Sequence, residues 1–323
     1  MRYTLKQLNY IDVAAQHRSI TGAAKALNIS ASSISSAIDA IEIQTNKKLF
    51  TRLPSKGIST TQFGHVFLSN ARQLLKAHRS FEEAVDEQAN AINGAVRMGC
   101  FTPAAPIILP LITKSVADHH PGISIHFTEG DISRNMQHVV DSKIDLAIGV
   151  GANLPSSINF VPMFVAPPHI VLPHSHPLAR RRQLSLEDVC REPMVLLDLD
   201  ETRDYMFGLF GQNNLTPHVA YSSQSAEMVR SMVAAGLGYS IFNLRPLQKQ
   251  QYTVGDLVRI PLVPGYRSVE YGIIHRIDAH LSKVDQVVID TCIRLRDSGA
   301  FNRAVLPEGR AGNDHRKNVL IPA

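Results

Sequence analysis

The sequence predicts an α/β protein in three parts: a helical amino-terminal module over residues 1–62, a connecting helix over 63–92 and a two-lobed α/β body over 93–300. Three observations predict it. Residues 1–62 hold eight lysines and arginines against three acids, a balance of +5, which is also the formal net charge of the whole 323-residue chain. From Thr60 to Ile92 there is no proline, and only Gly64 interrupts a helical composition. Beyond Asn93-Gly94, short apolar runs alternate with helical ones, as in layered sheets and helices. A basic module on a near-neutral body suggests a polyanion partner for that module alone. A solvated basic surface fits the charge equally well.

Composition narrows the class. A chain of this length that is 44% hydrophobic can bury more than one core. The opening MRYTLKQLNY breaks up any apolar stretch, so no secretory leader is expected. No run approaches the roughly 20 apolar residues that span a bilayer, and no membrane partner is expected. Cys100, Cys190 and Cys292 are odd in number and far apart, forming neither a disulfide framework nor a CxxC pair. A reducing cytoplasm is the expected location.

Within the first module, Leu5, Leu8, Ile11 and Ala15 recur at helical spacing up to about Gln16. Ser19 and Thr21 can both cap a second helix over Gly22 to Leu27, whose Ala23-Ala24 pair permits close packing. Asn28-Ile29-Ser30 breaks the pattern, and Ser30 can cap a third helix. There Ile34, Ile38 and Ile41 form one stripe, with Ser32, Ser36 and Asp39 opposite and Ser33 and Ser35 on the flanks. Exposed serines are poor for helix propensity, so something other than folding selects them. Two short helices joined by such a turn form a helix-turn-helix, and short hydroxyls suit close approach to phosphates and base edges. A three-helix bundle with a serine-rich face has the same composition.

The connecting helix carries Phe63, Phe67, Ala71, Leu74, His78, Phe81 and Val85 at three- and four-residue steps, a stripe that needs a partner, either a second helix or the chain's own domain. His78 is expected to be a packed histidine. In the body, AVRMGC precedes a helix from Ala105 to about His119, and ISIHFTEG precedes a helix over Ser133 to Ser142, followed by IDLAIGV. This βαβαβ order predicts a parallel sheet. HIVLP, MVLLDL, HVAYS, a helix from about Gln224 to Ala235, and GYSIF make a second round. VEYGIIHR and a helix over Ala279 to Arg296 read as a return to the first lobe. Two such lobes leave a cleft at the strand ends, where small ligands bind. Thr102 can cap the helix from Ala105, either as a plain cap or by placing a hydroxyl and free N–H groups where a carboxylate-bearing molecule would bind. Residues 301–323, rich in Gly, Pro, Asn and scattered charge, are expected to be a disordered tail.

These residues resemble the LysR-type transcriptional regulators. The resemblance is carried by Leu5-x-x-Leu8, Ser19-x-Thr21-x-Ala23-Ala24, Leu27, Ser30, Ser33-x-Ser35, Ile38-x-x-Ile41-Glu42, Leu49-Phe50-x-Arg52 and Thr61-x-x-Gly64, and continues more loosely through most of the chain. It implies a winged helix-turn-helix, a linker helix pairing antiparallel with its twin, and a periplasmic-binding-protein-like effector domain. The implied partners are double-stranded DNA, a second or further copies of the chain in a homodimer or homotetramer, a small-molecule effector, and RNA polymerase. The implied DNA-binding residues are Thr21, Ser30, Ala31, Ser32, Ser33, Ser35 and Ser36, with Arg52 and Lys56 on the wing. The family usually has Gln at the position of Ala31 and often Arg at that of Ser36, so the resemblance implies reduced base reading and more reliance on DNA shape. The implied effector contacts are Phe101-Thr102-Pro103, and Glu129-Gly130, Asp198 to Thr202 and Ser223 are further candidates placed at strand ends.

Enzyme signatures are weak. Gly236-Leu237-Gly238 lacks a third glycine and follows a helix, so it is no dinucleotide fingerprint, and neither a G-x-S-x-G elbow nor a Walker A run occurs. His174 and His176 in PHSHP sit in a proline-flanked loop without neighbouring thiolates or carboxylates, and Arg180-Arg181-Arg182 reads as a solvated loop. No cofactor, metal or catalytic activity is expected. The competing expectation is a cytoplasmic α/β enzyme or solute-binding protein with an unrelated helical head.

Overall fold

A computed structural model describes residues 3–53, 57–86, 92–246 and 255–309. Three helices build the amino-terminal module: α1 (Leu5–His17), α2 (Ile20–Leu27) and α3 (Ala31–Thr45). Each begins on a hydroxyl. Thr4, Ser19 and Ser30 accept from the backbone N–H of Gln7, Gly22 and Ser33, satisfying donors that a first turn leaves free. Thr21 is not a cap. It lies inside α2, its hydroxyl 3.1 Å from that of Ser19. Asn28 closes α2 in the left-handed region at φ 55°, giving the tight turn into α3. Ile11, Ile34, Ile41 and Leu49 are fully buried at the centre of this module.

A hairpin of β1 (Phe50–Leu53) and β2 (Gly57–Thr60) follows, pairing Phe50 with Thr60 and forming the wing. Gly57 holds it in place. At φ +83° its backbone passes so close to α1 that a Cβ would lie 2.2 Å from the Arg18 carbonyl, which also accepts from Ile58 N. Helix α4 (Gln62–Asp86) then runs about 37 Å. The single stripe expected on it is divided. Phe63, Phe67 and Ala71, joined by Leu68 and Leu75, pack on the first module. Leu74, Phe81, Val85 and Val66 form a second row, 53–67% exposed. His78 is not packed in a core; it lies half-exposed beside Glu82.

The first lobe is built from β3 (Gly94–Phe101), α5 (Ala105–His119), β4 (Ile123–Gly130), α6 (Ile132–Val140), β5 (Leu146–Val150) and β6 (Ile158–Ala166). The second comprises β7 (His169–Pro173), β8 (Pro193–Leu197), α7 (Asp200–Gly211), β9 (His218–Ser223), α8 (Ala226–Ala234), β10 (Ser240–Phe242) and β11 (Leu257–Pro261). The chain then returns through β12 (Val269–Arg276) and α9 (Lys283–Asp297). Sheet order in the first lobe is β4-β3-β5-β12-β6. The βαβαβ part is parallel, as the alternation predicts, but β12 enters antiparallel to both β5 and β6, so the sheet is mixed. In the second lobe β10-β7-β11 and β8-β9 are joined by a bridge from Met194 to Tyr239. Each lobe has its own apolar core. Two chain crossings, after β6 and before β12, connect them.

The expected disordered tail begins too early at residue 301. Ala300–Ala304 forms a short 3-10 turn, and Phe301 is buried, stacked on Phe164 with ring centroids 5.0 Å apart. Val305 bridges to Leu244. One aromatic ring that fills a core outweighs the polar composition around it. Residues 310–323 lie outside the described residues.

Candidate nucleic-acid interface and ligand cleft

On α3, burial of Ile34, Ile38 and Ile41 turns the serine side to solvent. Ser30, Ser32, Ser33 and Ser36 are exposed, as is Thr21 on α2, whereas Ala31 and Ser35 are half-buried. The first-turn hydroxyls form a cluster: Ser30 Oγ stands 2.8 Å from both Ser32 Oγ and Ser33 Oγ. Ser35 and Arg52 line a shared hollow of about 330 Å³ between α3 and β1, so helix and wing form one surface. Arg52 is exposed on β1, and Lys56 lies outside the described residues.

Glu42 fixes that geometry from behind. Its carboxylate accepts from Leu49 N at 2.8 Å and Phe50 N at 3.3 Å and pairs with Lys48, tying the start of the wing to α3. Burial acts to raise its pKa, but the Lys48 hydrogen bond and the two N–H donors outweigh it and hold the group below the usual carboxylate range. The surface presents hydroxyls and the positive charge of Arg52. It is suited to hydrogen-bonding a polyanion's phosphates and base edges.

Between the lobes lies a cavity of about 690 Å³. Phe101, Pro103 and Thr202 line it, as expected of strand ends, while Thr102, Glu129, Gly130, Asp198 and Ser223 do not. Thr102 is exposed and does not cap α5, whose N-cap is Ala104 without a side-chain hydrogen bond. Instead the Thr102 N–H donates to Gly130 O at 3.1 Å, stitching β3 to β4. Glu129 is exposed on an edge strand, and Gly130 is buried. Asp198 is paired with Arg203, and Ser223 Oγ accepts from Ser225 N.

Further polar residues line the cavity, among them Tyr205, Asn243, Glu201 and Arg230. Tyr205 donates to Arg267 O at 2.6 Å and accepts from Asn243 Nδ2 at 2.9 Å, and that amide also donates to Ala166 O at 2.9 Å. One hydroxyl thus ties both lobe crossings together, and burial pushes its pKa up to about 12 despite the Asn243 hydrogen bond. Glu201 Oε1 accepts from Ser133 N at 2.8 Å, reaching from α7 across to α6. Arg230 is buried, with its guanidinium 4.5 Å above the Phe242 ring and 3.6 Å from Glu227. Glu201 falls within the Asp198 to Thr202 stretch after β8 and Asn243 directly follows β10, whereas Tyr205 and Arg230 lie inside helices, out of reach of strand-end reasoning. The helical segment after MVLLDL, with Thr202 and Tyr205 three residues apart, was the available signal.

Burial raises the thiols of Cys100 and Cys292, the latter to about 12. His176 Nδ1 accepts from Leu178 N and so caps a 3-10 turn. His169 is fully buried, and desolvation with nearby Arg259, Arg230 and Arg245 depresses it to about 3, so it stays neutral.

Comparison with known proteins places both parts of the chain in one family. Residues 5–65 match the model for the bacterial regulatory helix-turn-helix protein, lysR family, and residues 89–296 match the LysR substrate binding domain. A putative LysR family transcriptional regulator from Pseudomonas aeruginosa is 32% identical, covering 92% of this chain and 99% of that one, with a TM-score of 0.60. The DNA-binding transcriptional dual regulator OxyR of Escherichia coli (strain K12) is 23% identical over 303 residues, 93% of this chain and 98% of that protein. Full-length CbnR, solved in complex with its target DNA, shares the fold at a TM-score of 0.55 and 19% identity, over 91% of this chain and 99% of that one. With a serine-faced helix-turn-helix at one end and a ligand-sized cleft between two lobes at the other, the chain belongs to the LysR family of transcriptional regulators.

Proposed function

We infer that the protein binds an operator as a homodimer or homotetramer and changes that binding, or its contact with RNA polymerase, when a small molecule enters the cleft. The observation that carries this reading is the orientation of α3: isoleucines inward, serines outward beside Arg52. Ser32, Ser33, Ser35 and Ser36, with Thr21 and Ser30 at the helix starts, meet the groove, while Arg52 and Lys56 contact phosphate. With Ala31 and Ser36 lacking long base-reading side chains, sequence preference comes largely from DNA shape. The exposed row on α4 supplies the face for a second copy, as a palindromic pair of half-sites requires. The protein acts in the cytoplasm and catalyses no reaction. Phe101, Pro103 and Thr202 contact the effector, and Tyr205 and Glu201 join them.

Selecting fragments of the source genome with purified protein, then measuring affinity against salt, tests the reading. A regulator gives selected promoters and a steep fall of binding with salt, both lost on removal of residues 1–62. An α/β enzyme or solute-binding protein with a helical head gives neither.

A further inference from the structure

One nine-residue helix reaches both functional ends of the molecule. The amino terminus of α6 faces the cleft, where Ser133 N donates to Glu201 Oε1 of the opposite lobe at 2.8 Å. Its carboxyl-terminal carbonyls face α4. Val140 O accepts from Ser69 Oγ at 3.2 Å and Arg276 Nη1 at 2.6 Å, and Asp141 O accepts from Arg72 Nη1 at 3.0 Å. Arg72 in turn donates through Nε to Asp12 Oδ1 of α1 at 2.6 Å, with both side chains buried. An unbroken line of contacts therefore runs from Glu201 through α6 and Arg72 to Asp12, from the cleft wall to the helix-turn-helix.

The physics of the helix suits the task. Nine hydrogen-bonded residues span about 13 Å and transmit displacement without bending. A carboxylate at the N–H end and guanidinium groups at the carbonyl end both match the helix dipole. Ser133, Met136, Gln137 and Val140 line the cleft, so a molecule inside it lies along one whole side of α6. Val139, buried in a small apolar cluster with Ile144 and Ile274, anchors the other side.

Resting on the reading of the cleft as the effector site, we propose that α6 is the strut that couples effector to operator. In the latched state Glu201 holds its amino terminus and Arg72 grips both its carboxyl end and Asp12. An effector in the cleft breaks the Glu201–Ser133 bond, α6 shifts, and Arg72 releases Asp12, loosening α1 against α4 within the core they share. Each ligand biases the same two states, so operator binding changes effector affinity by the same factor in return.

Hydrogen exchange on the full-length protein, without DNA or ligand, tests this with Glu201→Ala and Glu201→Gln. Glutamine keeps an oxygen that accepts from Ser133 N, whereas alanine keeps none. The alanine variant is expected to speed exchange at the start of α6 and also, by about fivefold or more, in α1 and residues 66–76, with the glutamine variant near wild type. Faster exchange in α6 alone, or no change anywhere, overturns the strut. Affinity for a selected genomic fragment gives a second readout. Glu201→Ala should shift Kd by about fivefold or more in the wild-type background and not at all in Asp12→Asn, and additive effects overturn the proposal. Neither assay contains an effector. A cleft that binds none is revealed separately, by the absence of any saturable ligand-dependent change in the wild type.

Discussion

Lys76→Met would test the charge network that joins α4 to the first lobe. Lys76 Nζ lies 3.0 Å from Asp145 Oδ1 and 2.6 Å from Asp285 Oδ2, with the two carboxylate side chains only 8% and 1% exposed. Asp145 also takes a two-pronged contact from Arg97, at 3.1 Å from Nε and 2.9 Å from Nη2. Burial alone would raise the pKa of Asp145, but the Arg97 hydrogen bond and the charges of Lys76 and Arg97 overcome it and hold the group at about 2, against an ordinary 3.8. A depressed carboxylate stabilises the fold above its unfolded pKa and loses that contribution as pH falls through the folded one. For Asp145 the loss therefore falls between about pH 4 and pH 2 and is worth about 2 kcal/mol. Methionine keeps the apolar stem of Lys76 and removes the charge, leaving two buried carboxylates with less cationic cover. Breaking a buried pair in this way costs about 3–5 kcal/mol at neutral pH. Without Lys76 the Asp145 carboxylate is less strongly depressed, so the gap between variant and wild type should narrow as pH falls below about 4. Urea unfolding at fixed protomer concentration and matched pH reads both effects. A loss under about 1 kcal/mol with the wild-type pH profile would refute the view that this network is dry and tightly paired.

Three further outcomes are expected. Ser35→Phe, which projects a ring between α3 and the wing, should abolish binding to a selected operator fragment while circular dichroism stays unchanged, and retained affinity would remove Ser35 from the interface. Arg52→Ala should lower the slope of log affinity against log salt by about 0.9 for each protomer bound and weaken specific and non-specific DNA alike; an unchanged slope in a titration by fluorescence anisotropy would contradict a phosphate contact. Phe301→Ala removes a ring that is 1% exposed and stacked on Phe164, so it should destabilise the effector domain by about 3–5 kcal/mol in a urea titration, a cost no disordered tail would show.

The amino-acid sequence determined most features that depend on neighbours within a few residues, although Thr21, offered as a cap beside Ser19, lies inside α2. Isoleucines at positions 34, 38 and 41 and hydroxyls at 19 and 30 specified two capped helices and their buried sides, because helix periodicity and capping act within one or two turns. Alternation of strands and helices likewise announced two lobes. Tertiary structure decided which groups meet. Thr102 does not cap α5 because the N-cap position falls two residues later, at Ala104, while its own N–H is held by Gly130 O from another strand. Tyr205, Asn243 and Arg267 meet at the lobe crossings, and Asp12 meets Arg72 across 60 positions. Such contacts carry no local periodicity, since they arise only when separately folded elements pack. The division of the α4 stripe has the same origin: spacing shows that a helix has an apolar side, but only the neighbours already in place determine how much of it stays open.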